Sequence, residues 1–246
     1  LANLRRLSLA NCANVADFSP LAKLASLQEL NLSDCPGFRD VGLLAPLREL
    51  VRLDLSGCKG ISDIAPLASL PRLESLTLGS DPEALDLAPL AKAPKLWSLR
   101  LARFERFADL TPLTAFPALR NVEISACRRV ADLTPMGKLG RLTWLKVEDC
   151  PEVRDLRPLA GLANLTGLNL SQCTGVEAIS PLGALKWLTS LSLNMCSSVA
   201  DLSPLQALGA LTWLDLGDCD AAQGHAALLP KLPRLTYLRI RNCKTV

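Results

Sequence analysis

The chain returns to one phrase every 23 residues, and that period limits its fold more tightly than any other property. L-x-x-L-x-L-x-x-C starts at Leu4, Leu27 and Leu50, and recurs more loosely at Leu73, Leu96 and Leu119. It continues at Leu142, Leu165, Leu188, Leu211 and Leu235, with nine intervals of 23 residues and a last one of 24. Eleven copies in register leave no stretch for a separate globular domain, so residues 1–246 read as one domain of eleven units. A unit this short cannot bury its own apolar side and must stack on its neighbours. Within L-x-x-L-x-L the leucines alternate with other residues, which points the leucines inward and their neighbours outward on a strand.

The rest of each unit predicts a turn, a core anchor and a short return helix. An Asp stands at one offset in eight copies: Asp17, Asp40, Asp63, Asp86, Asp109, Asp132, Asp155 and Asp201. A carboxylate there accepts backbone N–H groups where the chain turns. The Ser-Pro or Thr-Pro that follows in several copies predicts a helix start, with the hydroxyl residue as N-cap and Pro at the first helical position. Eight carboxylates at one offset are thus turn residues rather than a calcium or catalytic set.

These phrases carry a resemblance. The strand motif with Val15-x-Asp17-Phe18-Ser19-Pro20-Leu21, and again Val130-x-Asp132-Leu133-Thr134-Pro135, resembles the leucine-rich repeat of the bacterial internalin type. The resemblance implies a right-handed α/β solenoid with a parallel sheet on its concave face. Short helical or 3-10 returns would lie on the convex face. Internalin units are usually one residue shorter and place Asn where this chain has Cys, so the resemblance speaks for fold more than for adhesion.

Cys12, Cys35, Cys58, Cys127, Cys150, Cys173, Cys196, Cys219 and Cys243 all occupy that one slot, which only Asp81 and Phe104 vary. A small, weakly donating thiol suits a buried position beside loop backbone. In-register side chains point the same way, so a straight column does not converge on a tetrahedral metal and does not favour disulfides. A structural thiol ladder is expected, with no metal and no cofactor, and nine unpaired thiols suit a reducing, cytoplasmic compartment.

Composition excludes several classes. With 27 basic and 24 acidic residues the net charge is +3, too balanced to argue for nucleic acid or an anionic membrane. No apolar run is long enough to span a bilayer. His225 is the only histidine, without an acid, base and nucleophile set beside it, and phosphate-loop and zinc-protease motifs are missing. Catalysis is not expected. Both ends fall inside repeats without a clear polar cap, which suggests a piece of a longer protein.

What remains for function is the outward strand face. Its first column reads Arg6, Glu29, Arg52, Ser75, Ser98 and Asn121, then Trp144, Gly167, Ser190, Trp213 and Tyr237. Large aromatics on an otherwise solvated sheet read as contact anchors. Trp213 and Tyr237 fall on adjacent rungs, with Trp144 three rungs away and a shallow gap expected over Gly167 and Ser190. Lys146, Glu148, Asn169, Asp215, Arg239 and Arg241 surround them as a mixed polar field, as in a protein or peptide interface. The predicted function is recognition of a protein or peptide partner on the C-terminal half of the sheet. Two other readings stay open: a sensor or regulatory arm of a larger receptor-like or effector protein, acting on domains of the same chain, and a structural scaffold without a ligand.

Overall fold

The computed structural model describes residues 1, 3–79, 86–219 and 231–242. Asp81, Ala84, His225 and Cys243 lie outside the described residues. The chain forms two compact units, one of Leu1–Arg106 with Ala115–Leu119 and one of Phe107–Thr114 with Arg120–Val246.

The first unit holds β1 (Arg6–Ser8), β2 (Glu29–Asn31), β3 (Arg52–Leu55), β4 (Ser75–Gly79) and β5 (Ser98–Ala102). The second holds β6 (Asn121–Ser125), β7 (Trp144–Glu148), β8 (Gly167–Asn169), β9 (Ser190–Ser192), β10 (Trp213–Asp215) and β11 (Tyr237–Arg239). Within each unit consecutive strands pair in parallel, and the register keeps the repeat: Leu7 faces Leu30 and Leu30 faces Leu53 in the first, Leu168 faces Leu191 and Leu191 faces Leu214 in the second. This is the leucine-rich-repeat solenoid, parallel strands joined by short returns. Most of the inward leucines are fully buried, Leu53 at 2% exposure and Leu191 at 0% among them. In-register burial of equivalent apolar side chains, rather than strand propensity, therefore sets the pairing.

Among the described residues the returns are 3-10 turns such as Ser19–Lys23, Arg157–Gly161 and Ser203–Ala207, with one α-helical turn, α1 (Thr134–Gly137). Their starts differ from the expectation. Ser19 and Ser203 are the first residues of their turns, and the N-cap positions are the buried Phe18 and Leu202, which make no side-chain cap. The capping work falls to the Asp two residues before the hydroxyl residue, because a buried apolar side chain in between has no acceptor to offer. Among the described residues no helix is long and apolar enough to cross a membrane.

A second regularity was not visible in the repeat. The residue before the Cys slot is left-handed in every described copy: Asn11, Asp34, Gly57, Arg103, Ala126, Asp149, Gln172, Met195, Asp218 and Asn242 all have φ between 50° and 78°. Gly57 is the residue type that this conformation favours most, and Asn or Asp, the next most tolerant types, fill five of the other slots. The strand must turn sharply there to send the thiol inward, so tertiary packing holds nine non-glycine residues in a conformation that is costly for each.

Candidate functional site

The slots that repeat most regularly are occupied with holding the backbone. Burial presses five of the deep thiols against the preceding repeat: Cys35 donates to the Leu9 carbonyl at 3.0 Å, Cys58 to Leu32 at 3.1 Å, Cys173 to Val147 at 3.2 Å, Cys196 to Leu170 at 3.0 Å and Cys219 to Leu193 at 3.0 Å, while Cys150 donates to Glu148 of its own unit at 3.4 Å. Leaving water raises the pKa of Cys35, of Cys58 to about 11 and of Cys173 to about 12, so they stay protonated donors. Cys150 and Cys196 are pushed up further by the same cause. Cys127 is buried as well, whereas Cys12, on the first rung, is only partly covered. The eight described cysteines are free thiols.

The Asp row has the complementary task. Asp17 accepts the Ser19 N–H at 2.8 Å, Asp40 that of Gly42 at 2.8 Å, Asp63 that of Ala65 at 2.8 Å and Asp86 that of Ala88 at 2.9 Å. Asp109, Asp132, Asp155 and Asp201 accept from Thr111, Thr134, Arg157 and Ser203 at 2.8–2.9 Å. Side-chain and backbone hydrogen bonds from Ser19, Thr111 and Thr134 hold Asp17, Asp109 and Asp132 below the usual carboxylate range. Arg157 does the same to Asp155, and Ser203 to Asp201.

With those positions accounted for, the outward strand positions remain, and the residues expected to form the contact face lie in the second unit. Trp213 and Tyr237 lie in direct register on β10 and β11. Their rings stack in parallel, with centroids 5.4 Å apart and planes 4° from coplanar. Tyr237 is 46% exposed, and Trp213 is half-buried. Trp144, also half-buried, lies across its neighbour: a Cβ at Gly167 would collide with the indole ring. The gap expected over Gly167 is therefore filled by Trp144 itself, because only a residue without a side chain admits a ring lying flat on the sheet.

The charged residues nearby are largely paired among themselves. Lys146 and Glu148 meet at 2.6 Å on β7, and Arg241 meets Asp218 at 2.9 Å. Arg239 pairs with Asp215 at 3.2 Å. Asp215 is 5% exposed and also accepts the Gly217 N–H at 2.9 Å, so it reaches the surface only through Arg239. Asn169 likewise closes a turn, accepting from the Ser171 N–H at 2.8 Å. An Asn or Asp at a strand end satisfies the backbone just past it, which is why these outward-reading positions turn inward.

Two features of this unit escaped the sequence reading. One is a threonine ladder at the first position after the opening Leu. Thr166 donates its hydroxyl to the Thr143 carbonyl at 3.0 Å, Thr189 to Thr166 at 2.9 Å, Thr212 to Thr189 at 3.0 Å and Thr236 to Thr212 at 3.0 Å. Five threonines at one offset, Thr143, Thr166, Thr189, Thr212 and Thr236, are its signal in the sequence. The other is Trp187, which is 69% exposed just before Leu188, where the other copies carry small or polar residues such as Asn3, Ser26, Ala118 and Arg141. Among the described residues no group of His, Cys, Asp and Glu converges on a metal position.

Comparison with known proteins agrees with this architecture. The family model for leucine-rich repeats in two copies matches residues 2–46. An internalin (InlF) of Listeria monocytogenes is similar over 94% of this chain and 73% of its own, at 26% identity and a TM-score of 0.71. The leucine-rich repeat domain of the type III effector XopL is similar over 84% of this chain and 73% of its own, at 22% identity and a TM-score of 0.63. TLR13, solved with ssRNA13, is similar over 100% of this chain and 40% of its own, at 21% identity and a TM-score of 0.75. The latter two likenesses speak for the fold alone. No curated protein matches the chain in sequence. The chain has the leucine-rich-repeat fold and resembles internalins, a likeness that supports a repeat-based protein-interaction module.

Proposed function

We propose that the second unit binds a protein or peptide through its sheet face, with the Trp213–Tyr237 stack as the main anchor and Trp144 as a second one. The stack carries this reading: two aromatic rings held parallel at 5.4 Å, one of them 46% exposed, present a rigid apolar platform. Rigid aromatics lose little entropy on binding and dominate interface energetics. Because Lys146 and Glu148, Arg239 and Asp215, and Arg241 and Asp218 already neutralise one another, the partner is selected by an apolar or aromatic contact framed by polar groups. A charged patch on the partner is not needed. Catalysis has no part in this reading, and the unpaired thiols favour a reducing compartment.

The test is capture of partners by the parent protein beside a Trp213→Ala, Tyr237→Ala double variant. A partner held by the parent and at least tenfold weaker on the variant supports the platform. Affinity unchanged to within about 0.5 kcal/mol moves the site elsewhere.

A further inference from the structure

The first unit carries a second, chemically different site. Where β2 to β5 end, the rim encloses a pocket of about 250 Å³. Asp34 and Asp54 stand on one side of it, Arg100 and Arg103 on the other, and Gly57 and Gly79 lie between. Its volume is below the usual range for drug-sized ligands and suits something of amino-acid size. The Ser56 and Thr77 side chains add hydroxyls to the lining.

Its charges are arranged with opposite signs at opposite ends. Asp54 is committed to its own turn, accepting the Ser56 N–H at 2.9 Å and the Ser56 hydroxyl at 2.6 Å. Asp34 is not committed. A Cβ at Gly57 would collide with Asp34 Oδ1, so the carboxylate leans over the bare backbone of the next rung, on the pocket. Equivalent positions elsewhere behave differently. Asp149 and Asp218 occupy the same left-handed slot, and there Arg128 pairs with Asp149 at 3.3 Å while Arg241 and Asn242 hold Asp218 at 2.9 and 2.6 Å. Among the described residues neither Asp34 nor Arg103 has an ion pair or a side-chain hydrogen bond. Both are exposed residues held at positive φ, 55° and 59°. Three strand spacings separate their rungs, about 14 Å between backbones. The long Arg side chain and a ligand a few bonds across together span that distance.

We propose that this pocket binds a small zwitterion, its ammonium group on Asp34 and its carboxylate on Arg103, with Gly57 and Gly79 leaving room for its backbone. The ligand is a free amino acid or a short peptide. The site is separate from the aromatic platform, so either can fail without the other.

Saturation-transfer NMR and calorimetry on the whole protein, with L-alanine and L-alanyl-L-alanine as probes and acetate and methylammonium as half-ligands, test this. At least one zwitterion should bind tenfold or more tighter than either half-ligand. Binding by L-alanine identifies the free amino acid as the class, and binding by the dipeptide alone identifies a peptide. Because both charged residues sit at positive φ, Arg103→Gly and Asp34→Gly relieve the backbone while removing the charge. Each should weaken the zwitterion at least tenfold with an unchanged or raised melting temperature. Zwitterions that bind no tighter than the half-ligands overturn the proposal, a result that needs no variant. Glycine variants that bind as the parent does also overturn it.

Discussion

The outward column of the first unit reads Arg6, Glu29, Arg52, Ser75 and Ser98, and that of the second reads Asn121, Trp144, Gly167, Ser190, Trp213 and Tyr237. In the first, Arg6 and Arg52 flank Glu29 at 3.3 and 2.9 Å, with the arginine side chains 78% and 64% exposed. Such pairs add little stability and are screened by salt. In the second, neutral hydroxyl bonds run from rung to rung and two rings stack, and neither depends on ionic strength. The inward leucines, the thiols and the turn aspartates are nearly the same in both. One scaffold thus supports two surfaces of different chemistry, because the leucines that fill the core alternate along each strand with the residues that line the sheet face.

The largest effects test whether the scaffold is equivalent in the two units. Leu53→Ala and Leu191→Ala remove side chains of the same slot, exposed 2% and 0%, and each should cost about 2–5 kcal/mol by denaturant unfolding. Costs that differ by more than about 2 kcal/mol would mean that the two cores are packed differently. Next in size, Thr189→Val in the second unit should cost about 0.5–1.5 kcal/mol at any salt concentration. Glu29→Gln in the first should cost under about 1 kcal/mol, and less still at high salt. Hydrogen exchange at low and high salt reads both, and a salt-sensitive Thr189 effect would contradict the neutral ladder.

Substitution at the left-handed positions should raise stability. Ala126→Gly and Met195→Gly replace residues at φ 54° and 59°, and each should gain about 0.5–1 kcal/mol in thermal unfolding. A loss at either position would show that its side chain contributes more than its backbone conformation costs.

The smallest effect is a difference in acid sensitivity. Carboxyls held below their unfolded value stabilise the fold above that value, about 3.9, and lose the contribution as pH falls through the lower folded pKa. Asp17 is such a group in the first unit, whereas Asp109, Asp132, Asp155, Asp201 and Asp218 are in the second. Exchange followed from about pH 5 downward should show the second unit loosening first. Loosening of the first unit ahead of it would contradict the assignment.

Much of this was legible in the residues. A 23-residue period with leucines at alternate positions makes the units equivalent and stacks them in register from Leu4 to Leu235, and the Ser-Pro and Thr-Pro steps mark the short returns, while the parallel sheet was implied by the leucine-rich-repeat resemblance. The place of Trp213 beside Tyr237 followed from the same arithmetic. Other features required the fold. Nothing local marks Ala126 or Met195 as left-handed, because that conformation is forced by burying the next thiol rather than chosen by the residue itself. Asp215 and Trp213 are both outward by parity, yet only the packed strand end shows one carboxylate turning in to the backbone and the other side chain staying at the surface. Asp34 and Asp149 occupy one slot of the repeat, and only the three-dimensional arrangement gives Asp149 an arginine partner and leaves Asp34 facing a pocket. Periodicity determines which positions are equivalent. What each equivalent side chain meets depends on the neighbouring rungs, which come together only when the chain is folded.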